Sequence, residues 1–277
     1  MKKFVLAVSG GMDSMVLLDF MSRKYDCEMI AVAHFDHGTR QSSKDDYDFV
    51  KRVCVEKGIE FHGKHAKLGA GVSEEKARDA RYKYLFSVAQ NNTLYTAHHL
   101  DDLTESVVIN LLRGTGWRGL AVMNNQKIAR PLLSWSKKDI LKYAAENNIC
   151  YREDSTNNDD EYLRNRLRPL VRAFNQKNKL YEMQQTQIEL ARKIDETVND
   201  IVDKLRLEKG FRRDVFANLD DGVAIEILRG LLKQKDISCT RPQLLDFLRA
   251  IREYQPGKYF NLPNDRLVRM NKNEFVL

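Results

Sequence analysis

The first half of the chain alternates short apolar runs with longer stretches in which apolar residues recur every three or four positions. Residues 4–8 are continuously apolar and predict a buried strand, and the stretch that begins at Met15 has helical periodicity. The same alternation predicts further strands at 28–35, 59–62, 94–97 and 128–132, and helices at 44–57, 73–90, 101–113 and 136–147. Repeated strand–helix units are typical of a doubly wound parallel sheet, so we expect an α/β fold here.

The pattern changes after Cys150. Residues 151–160 are polar and acidic and predict a loop, whereas residues 180–207 carry apolar side chains at helical spacing and predict one long helix. Helices at 222–233 and 242–251 and strands at 258–262 and 266–270 then indicate a small α+β unit. We therefore expect a catalytic domain at 1–180, a linker helix at 181–208 and a small C-terminal domain at 209–277.

Composition is that of a globular protein with a basic charge balance. Of 277 residues, 43% are hydrophobic and 31% are charged, and the formal net charge is +7, which permits a nucleic-acid partner. No apolar run is long enough for a transmembrane helix, and the one after Met1 is too short for a signal peptide. We therefore expect a cytoplasmic protein with no membrane partner. The four cysteines are scattered, which disfavours a disulfide framework or a four-thiolate zinc site.

Six consecutive residues after the first strand carry the clearest chemical signal. They are Ser9, Gly10, Gly11, Met12, Asp13 and Ser14. A tight turn between a strand and a helix points backbone N–H groups and the positive end of the helix dipole at one place, as a phosphate site requires. Asp13 suits a Mg²⁺ ion that accompanies the phosphate. A Walker loop is excluded because its Lys-Ser/Thr pair is absent. The six residues instead resemble the PP-loop of the N-type ATP pyrophosphatases, which implies ATP as co-substrate.

Polar residues also follow the second and fourth predicted strands. The carboxyl ends of parallel strands meet at one edge of a sheet, so His34 is expected to line the nucleotide site. A metal site on His34 and His37 is the less favoured interpretation. Asp102 and Glu105 lie three residues apart at a helix start and share a face. They either favour the helix dipole or form a two-carboxylate pocket for an ammonium group, in which one carboxylate takes its proton.

Two groups of arginines have a structural and a functional interpretation each. Arg78 either pairs with nearby carboxylates on its helix or binds a carboxylate or phosphate through both guanidinium nitrogens. The second group comprises Arg164, Arg166, Arg168 and Arg172. It is either a solvated helix face or a track along the phosphate backbone of a nucleic acid.

Taken together, the motifs resemble the tRNA(Ile)-lysidine synthetase family. They are, in order, SGGMDS, HFDHGTR, EEKARDARYKYL, TAHHLDDLTES, LLRGTGWRGLAVM, ARPLL and EDSTNNDDEYLRNRLR, and they cover most of residues 4–170. PGKYFNLPNDRLVRM is similar to the family's first C-terminal domain. Leu103 stands where the family usually has Gln, and Ser106 where it usually has Thr. The further C-terminal domain of longer members is not among these residues.

The resemblance implies an adenine nucleotide α-hydrolase-like fold and a ligation reaction. Free L-lysine is joined to the wobble cytidine of an isoleucine tRNA with a CAU anticodon, through an adenylated cytidine, with release of AMP and pyrophosphate. It implies that residues 9–14 bind ATP and that Asp13 holds Mg²⁺. It also implies that Asp102 and Glu105 bind and deprotonate the lysine ammonium, and that Arg78 pairs with lysine's carboxylate or the α-phosphate. The second arginine group and the C-terminal domain would hold the tRNA.

Other functions fit parts of the pattern. A tRNA thiolase also uses a PP-loop, but such relatives generally carry cysteine pairs, which this chain lacks. A small-molecule amidating ligase would need an ammonia source that nothing in the sequence indicates. An inert tRNA- or nucleotide-binding protein would release no AMP, and the presence of Asp13, Asp102 and Glu105 argues against it. The sequence leaves open whether the chain forms a homodimer and how it would reject methionine tRNA with the same anticodon.

Overall fold

Two compact units make up the chain, Met1–Ile188 and Glu189–Leu277. The computed structural model describes residues 3–36, 38, 43–66, 72–152 and 163–277, without the side chains of residues 43, 44, 74 and 163–165. The boundary between the units falls inside the long helix Lys177–Leu205, so the three-part division at residues 180 and 208 stays a prediction. Within the described ranges, no helix is both long and apolar enough to span a membrane.

The first unit is built on a five-stranded parallel sheet. The strands are β1 Phe4–Ala7, β2 Ile30–Asp36, β3 Glu60–His65, β4 Leu94–Tyr95 and β5 Ile128–Ala129, in the order β3-β2-β1-β4-β5. The helices are α1 Met12–Lys24, α2 Ser43–Glu56, α3 Glu74–Ala89, α4 Leu100–Leu112, α5 Lys137–Glu146, α6 Leu163–Ala173 and the start of α7 Lys177–Leu205. The predicted doubly wound α/β fold is confirmed. The strand order reverses between β1 and β4, and in such sheets a ligand crevice opens beyond the strand ends at this point.

Both faces of the sheet are covered, which explains why its central strands are apolar without interruption. On one face, Leu6 and Val32 pack in a core that also contains residues of α1, α2 and α5. On the other face, Val5 and Ala33 pack against Leu85 of α3. Successive residues of β1 and β2 therefore point to opposite helical layers, and this alternation decides which of their side chains reach the crevice.

The second unit packs helices on a four-stranded antiparallel sheet. Its strands are β6 Phe211–Arg212, β7 Tyr259–Leu262, β8 Arg266–Met270 and β9 Glu274–Val276, in the order β6-β9-β8-β7. Its helices are α8 Asp221–Lys233, α9 Arg241–Glu253 and the end of α7. Phe216, Phe247 and Phe275 are fully buried at the centre of its core. The small α+β unit is confirmed, and the structure adds β6 and β9, which are too short to show a period of two in the sequence.

Candidate active site

A cleft of about 760 Å³ lies at the carboxyl ends of β1, β2 and β4. The loop after β1 forms one wall, and Ala33 and Phe35 of β2 form part of another. Arg81 and Tyr82 of α3, Asp102 of α4 and Lys137 at the start of α5 also line the cleft, as do Tyr151 and Arg152. A volume of this size is typical of small-molecule and cofactor sites. The cleft occupies the position that the strand order predicts for a ligand.

The loop at residues 9–14 is folded around the hydroxyl group of Ser14. This hydroxyl accepts hydrogen bonds from the backbone N–H groups of Ser9 (3.1 Å) and Gly10 (3.2 Å) and lies 2.8 Å from the carbonyl oxygen of Gly11, to which it donates. Gly10 has φ +95°, and a Cβ atom there would lie 3.3 Å from Cγ2 of Val50. Gly11, which has no side chain, is the N-cap of α1. The first-turn N–H groups of α1 are therefore open to an anion in the cleft.

Asp13 forms an ion pair with Lys137, and this contact joins the start of α1 to the start of α5. Both residues line the cleft, and their side chains are 35% and 33% exposed. His99 Nε2 lies 3.8 Å from Asp13 Oδ2. The carboxylate that sequence reasoning assigns to a metal thus lies between a lysine and a histidine, and that reasoning did not single out Lys137.

Asp102 both caps the start of α4 and lines the cleft. Its Oδ2 accepts a hydrogen bond from the backbone N–H of His99 (2.9 Å), which caps α4, and its side chain also lines the cleft. His99 Nδ1 accepts from the backbone N–H of Asp101 (3.2 Å), so in the neutral imidazole the proton sits on Nε2. That Nε2 lies 3.6 Å from Asp102 Oδ2. Both the helix-start interpretation and the cleft interpretation of Asp102 are therefore compatible with its position.

Glu105 lies one turn further along α4 and is nearly buried. Its side chain is 8% exposed, its Oε1 lies 3.6 Å from Arg168 Nε on α6, and it lies outside the cleft lining of the described chain. Asp101, also nearly buried, pairs with Lys177 Nζ of α7 at 2.8 Å. The acidic start of α4 is therefore divided: Asp102 faces the cleft, whereas Asp101 and Glu105 face basic residues of neighbouring helices.

Three arginines, Arg78, Arg81 and Arg130, lie near His98, which follows β4. Arg78 and Arg81 stack on the ring of Tyr82, with Cζ 5.0 and 5.4 Å from the ring centroid, and Arg81 and Tyr82 line the cleft, whereas Arg78 is exposed. Burial lowers the pKa of His98 to about 4, and the charges of Arg130, Arg81 and Arg78 add to that effect although Asp102 opposes it. His98 is therefore neutral near pH 7, and the positive charge of this wall comes from arginines.

His34 does not line the cleft in the described structure. Ala33 and Phe35 face the cleft, so the residue between them points to the opposite layer, where its ring packs against Tyr47 at 5.7 Å between centroids. Its Nδ1 lies 2.8 Å from the carbonyl oxygen of Val8, to which it donates. Burial lowers the pKa of His34, which favours the neutral ring near pH 7. The ring thereby fixes the end of β1, immediately before the loop at residues 9–14.

The arginines of α6 do not form one uniform surface. Arg166 and Arg172 are exposed, Arg168 faces Glu105, and the side chain of Arg164 lies outside the described residues. Arg152, which sequence reasoning did not single out, lines the cleft. It donates its backbone N–H to the carbonyl of Gly10 (3.0 Å), and its side chain lies 2.6 Å from Asp46 Oδ1 of α2.

The acidic residues fit a nucleotide-bound Mg²⁺ ion better than a metal held by protein alone. Within the described ranges, no group of three or more His, Cys, Asp or Glu side chains is arranged to hold a metal. Magnesium usually binds through one or two carboxylates together with substrate phosphates and water. Asp13, which lines the cleft beside the open N–H groups at the start of α1, would supply such a carboxylate.

Comparisons with known proteins agree with this geometry. The sequence model of a PP-loop domain family matches residues 1–173. The chain is 35% identical over 244 residues to the tRNA(Ile)-lysidine synthase of Thermosipho africanus, covering 82% of this chain and 57% of that protein. It is 34% identical over 234 residues to the tRNA(Ile)-lysidine synthase of Petrotoga mobilis, covering 76% and 75%. The chain thus spans less than two thirds of the length of the first of these relatives.

Among solved structures, the chain is similar to the U34-tRNA thiolase NcsA from Methanococcus maripaludis with its 4Fe-4S cluster. The TM-score is 0.56 at 19% sequence identity, over 68% of this chain and 72% of that one. At this identity the similarity concerns the fold alone.

Proposed function

Because the chain belongs to the tRNA(Ile)-lysidine synthase family of PP-loop proteins, we propose that it is an ATP-dependent ligase that modifies an isoleucine tRNA with a CAU anticodon. The observation that carries this proposal is the convergence in one cleft of the loop at residues 9–14, the Asp13 and Asp102 carboxylates, and Arg81 and Arg152. The loop suits ATP, and a separate carboxylate suits an amine. The exposed arginines of α6 suit an RNA.

The proposed reaction has two steps. In the first, the 2-carbonyl oxygen of the wobble cytidine attacks the α-phosphorus of ATP, and the bond to the bridging oxygen breaks with its electron pair leaving on pyrophosphate. In the second, the side-chain amine of free L-lysine attacks C2 of the adenylated ring, the bond to AMP breaks, and the amine loses a proton. The products are lysidine, AMP and pyrophosphate.

The loop at residues 9–14 would carry the first step. The N–H groups at the start of α1 would bind the pyrophosphate part of ATP, and Gly11, which lines the cleft without a side chain, lets the backbone approach it closely. Asp13 would hold Mg²⁺, which offsets charge on the leaving pyrophosphate. His34 would act as a positioning residue, because its ring holds the Val8 carbonyl at the end of β1.

Asp102 would carry the second step. A lysine amine has an ordinary pKa of about 10.4, so it must lose a proton before it can attack. Asp102 lines the cleft and can pair with the ammonium group and accept that proton. Glu105 would join this pocket when its contact with Arg168 opens, and Arg78 would bind the lysine carboxylate or the α-phosphate from the stack on Tyr82.

The tRNA would approach along α6. The anticodon base must leave its stack to reach the cleft, which is easiest in a single-stranded loop. Arg166 and Arg172 are exposed and can bind phosphates, with Arg164 beside them in sequence. The C-terminal unit would provide a further contact, since its β7–β8 hairpin exposes Tyr259 and Arg269 as cross-strand neighbours.

A thiolation reaction receives no support from the cysteines of the first unit. Cys54 lies on the buried face of α2, and this burial raises its pKa to about 12, so it is not available as a thiolate. Cys150 is exposed and Cys27 is partly buried, and the two lie far apart in the sequence, so they do not form a cysteine-pair motif.

Product analysis of the modified nucleoside tests the proposal. The protein is incubated with the CAU-anticodon isoleucine tRNA, ATP and Mg²⁺, with or without L-lysine, and the wobble nucleoside is identified by mass spectrometry. We expect lysidine when lysine is present and pyrophosphate release with an adenylated cytidine when it is absent. Unmodified cytidine under both conditions would contradict the proposal.

A further inference from the structure

We propose that Lys137 is a further catalytic residue, whose ammonium group binds the phosphates of ATP and stabilises the leaving pyrophosphate. This inference rests on the proposed use of the cleft for ATP. It deepens that function by adding a cation that the loop at residues 9–14 does not itself contain. The juxtaposition that carries it is the ion pair between Lys137 and Asp13 at the mouth of the anion-binding loop.

The cap at the start of α5 fixes the backbone of Lys137, whereas its side chain can change conformation. Ser136 and Asp139 form a reciprocal capping box, with Ser136 N–H donating to Asp139 Oδ2 (2.8 Å) and Asp139 N–H to Ser136 Oγ (3.2 Å). The backbone N–H of Lys137 also points to Asp101 Oδ1 (3.4 Å). The side chain is 33% exposed, so it can turn from Asp13 towards a ligand without unpacking the helix.

The Lys137 ammonium group offsets negative charge at the start of α1. Asp13 is the second residue of α1, next to the N–H groups that would receive a phosphate, and its negative charge would repel that phosphate. Lys137 offsets this charge in the ligand-free protein. When a triphosphate enters, the same ammonium group can donate hydrogen bonds to phosphate oxygens and leave the Asp13 carboxylate available as a ligand.

The chemical step needs a cation at this position. As the cytidine oxygen bonds to the α-phosphorus, the bond from phosphorus to the bridging oxygen breaks, and its electron pair passes to pyrophosphate. Lys137 donates a hydrogen bond to this developing charge and keeps its own proton, so no proton is transferred. Groups fixed in place before charge develops are the effective ones, because no reorganisation is then required.

The chain contains a matched control in Lys138. It is the next residue of α5, it is exposed, and it lies outside the cleft lining of the described residues. The variants Lys137→Gln, Lys137→Arg and Lys138→Gln are compared with the wild type. ATP affinity is measured by equilibrium binding, pyrophosphate release in a single turnover with tRNA at saturating ATP, and folding by thermal unfolding.

We expect Lys137→Gln to slow pyrophosphate release by about 10²- to 10³-fold and to weaken ATP binding, with an unchanged unfolding temperature. Lys137→Arg should retain part of both properties, and Lys138→Gln should match the wild type. A Lys137→Gln variant with wild-type ATP affinity and release rate would overturn the inference; if that variant does not fold, Lys137→Met, which also removes the charge, is measured in its place and the same result decides. A wild-type protein that binds ATP but releases no pyrophosphate would instead count against the proposed function.

Discussion

Arg168 on α6 lies with its Nε 3.6 Å from Oε1 of Glu105 on α4. Sequence reasoning assigns the arginine to tRNA and the carboxylate to lysine, yet the two residues face each other. Because the Glu105 side chain is only 8% exposed, removing a basic partner from it is costly. This contact separates Arg168 from the exposed arginines of the same helix and leads to a test that distinguishes them.

Arg172→Gln should therefore affect tRNA binding, whereas Arg168→Gln should affect folding stability. If the exposed Arg172 binds a phosphate, its loss weakens tRNA binding and lowers the slope of log K against log salt by about 1. Arg168→Gln should leave this slope unchanged and lower the free energy of unfolding by about 1–3 kcal/mol, because it removes a partner of a buried carboxylate. Filter binding over a range of salt and urea unfolding measure the two effects. A slope change as large as that of Arg172→Gln would place Arg168 on the RNA.

Gly10→Ala should impair both stability and ATP binding. The residue has φ +95° and a Cβ would contact Val50, so the loop must distort, at a cost of about 1–3 kcal/mol. Gly58→Ala is the matched control, since Gly58 also has positive φ (+66°) but has open space around it and lies in the turn between α2 and β3, outside the loop at residues 9–14. Both variants should lose stability in urea unfolding, and only Gly10→Ala should lose ATP affinity. Equal ATP affinities would contradict a phosphate-binding role for the loop.

His98 should make the protein less stable as the pH falls. Burial lowers its pKa to about 4 in the folded state, below the ordinary value, so the unfolded chain binds the proton more readily. The contribution of neutral His98 to the free energy of unfolding is fully present above pH 6.5 and declines towards pH 4. Between pH 7 and pH 5 the decline should be about 2 kcal/mol. His98→Asn should remove this part of the pH dependence in urea unfolding; equal slopes for wild type and His98→Asn would refute the assignment.

Asp102→Asn should separate the two proposed steps. Asparagine can still accept the hydrogen bond from His99 N–H that caps α4, so the helix start should survive. The variant loses the negative charge that would bind the lysine ammonium, a charged interaction whose loss typically reduces binding by about 10- to 100-fold. Lysine incorporation should therefore fall while pyrophosphate release without lysine continues. A variant that incorporates lysine normally would exclude Asp102 from the lysine site.

Much of the fold follows from local pattern, and the exceptions have physical causes. The central strands are recognisable because both of their faces are covered, and the loop at residues 9–14 because its chemistry is contiguous. β3 runs to His65, beyond its predicted end, because an edge strand with exposed side chains shows little apolar signal. Lys137 meets Asp13 across 124 positions of sequence, a contact that only the assembled sheet creates.

One placement was predictable from elementary geometry. Side chains alternate along a strand, so if Ala33 and Phe35 face the cleft, His34 cannot. The sequence pattern placed His34 at the correct end of β2, but the period of two puts its ring on the layer of α2, against Tyr47. The ring is connected to the cleft through its hydrogen bond to the carbonyl of Val8, a residue that lines the cleft.

The most direct test of the proposed function is ATP-dependent transfer of labelled L-lysine to RNA. The protein is supplied with Mg²⁺, ATP, labelled lysine and either the isoleucine or the methionine tRNA with a CAU anticodon, and label in the RNA is counted together with AMP and pyrophosphate. We predict one AMP and one pyrophosphate for each lysine transferred to the isoleucine tRNA, and no transfer without ATP. Binding of this tRNA with no lysine transferred and no AMP formed would contradict the account.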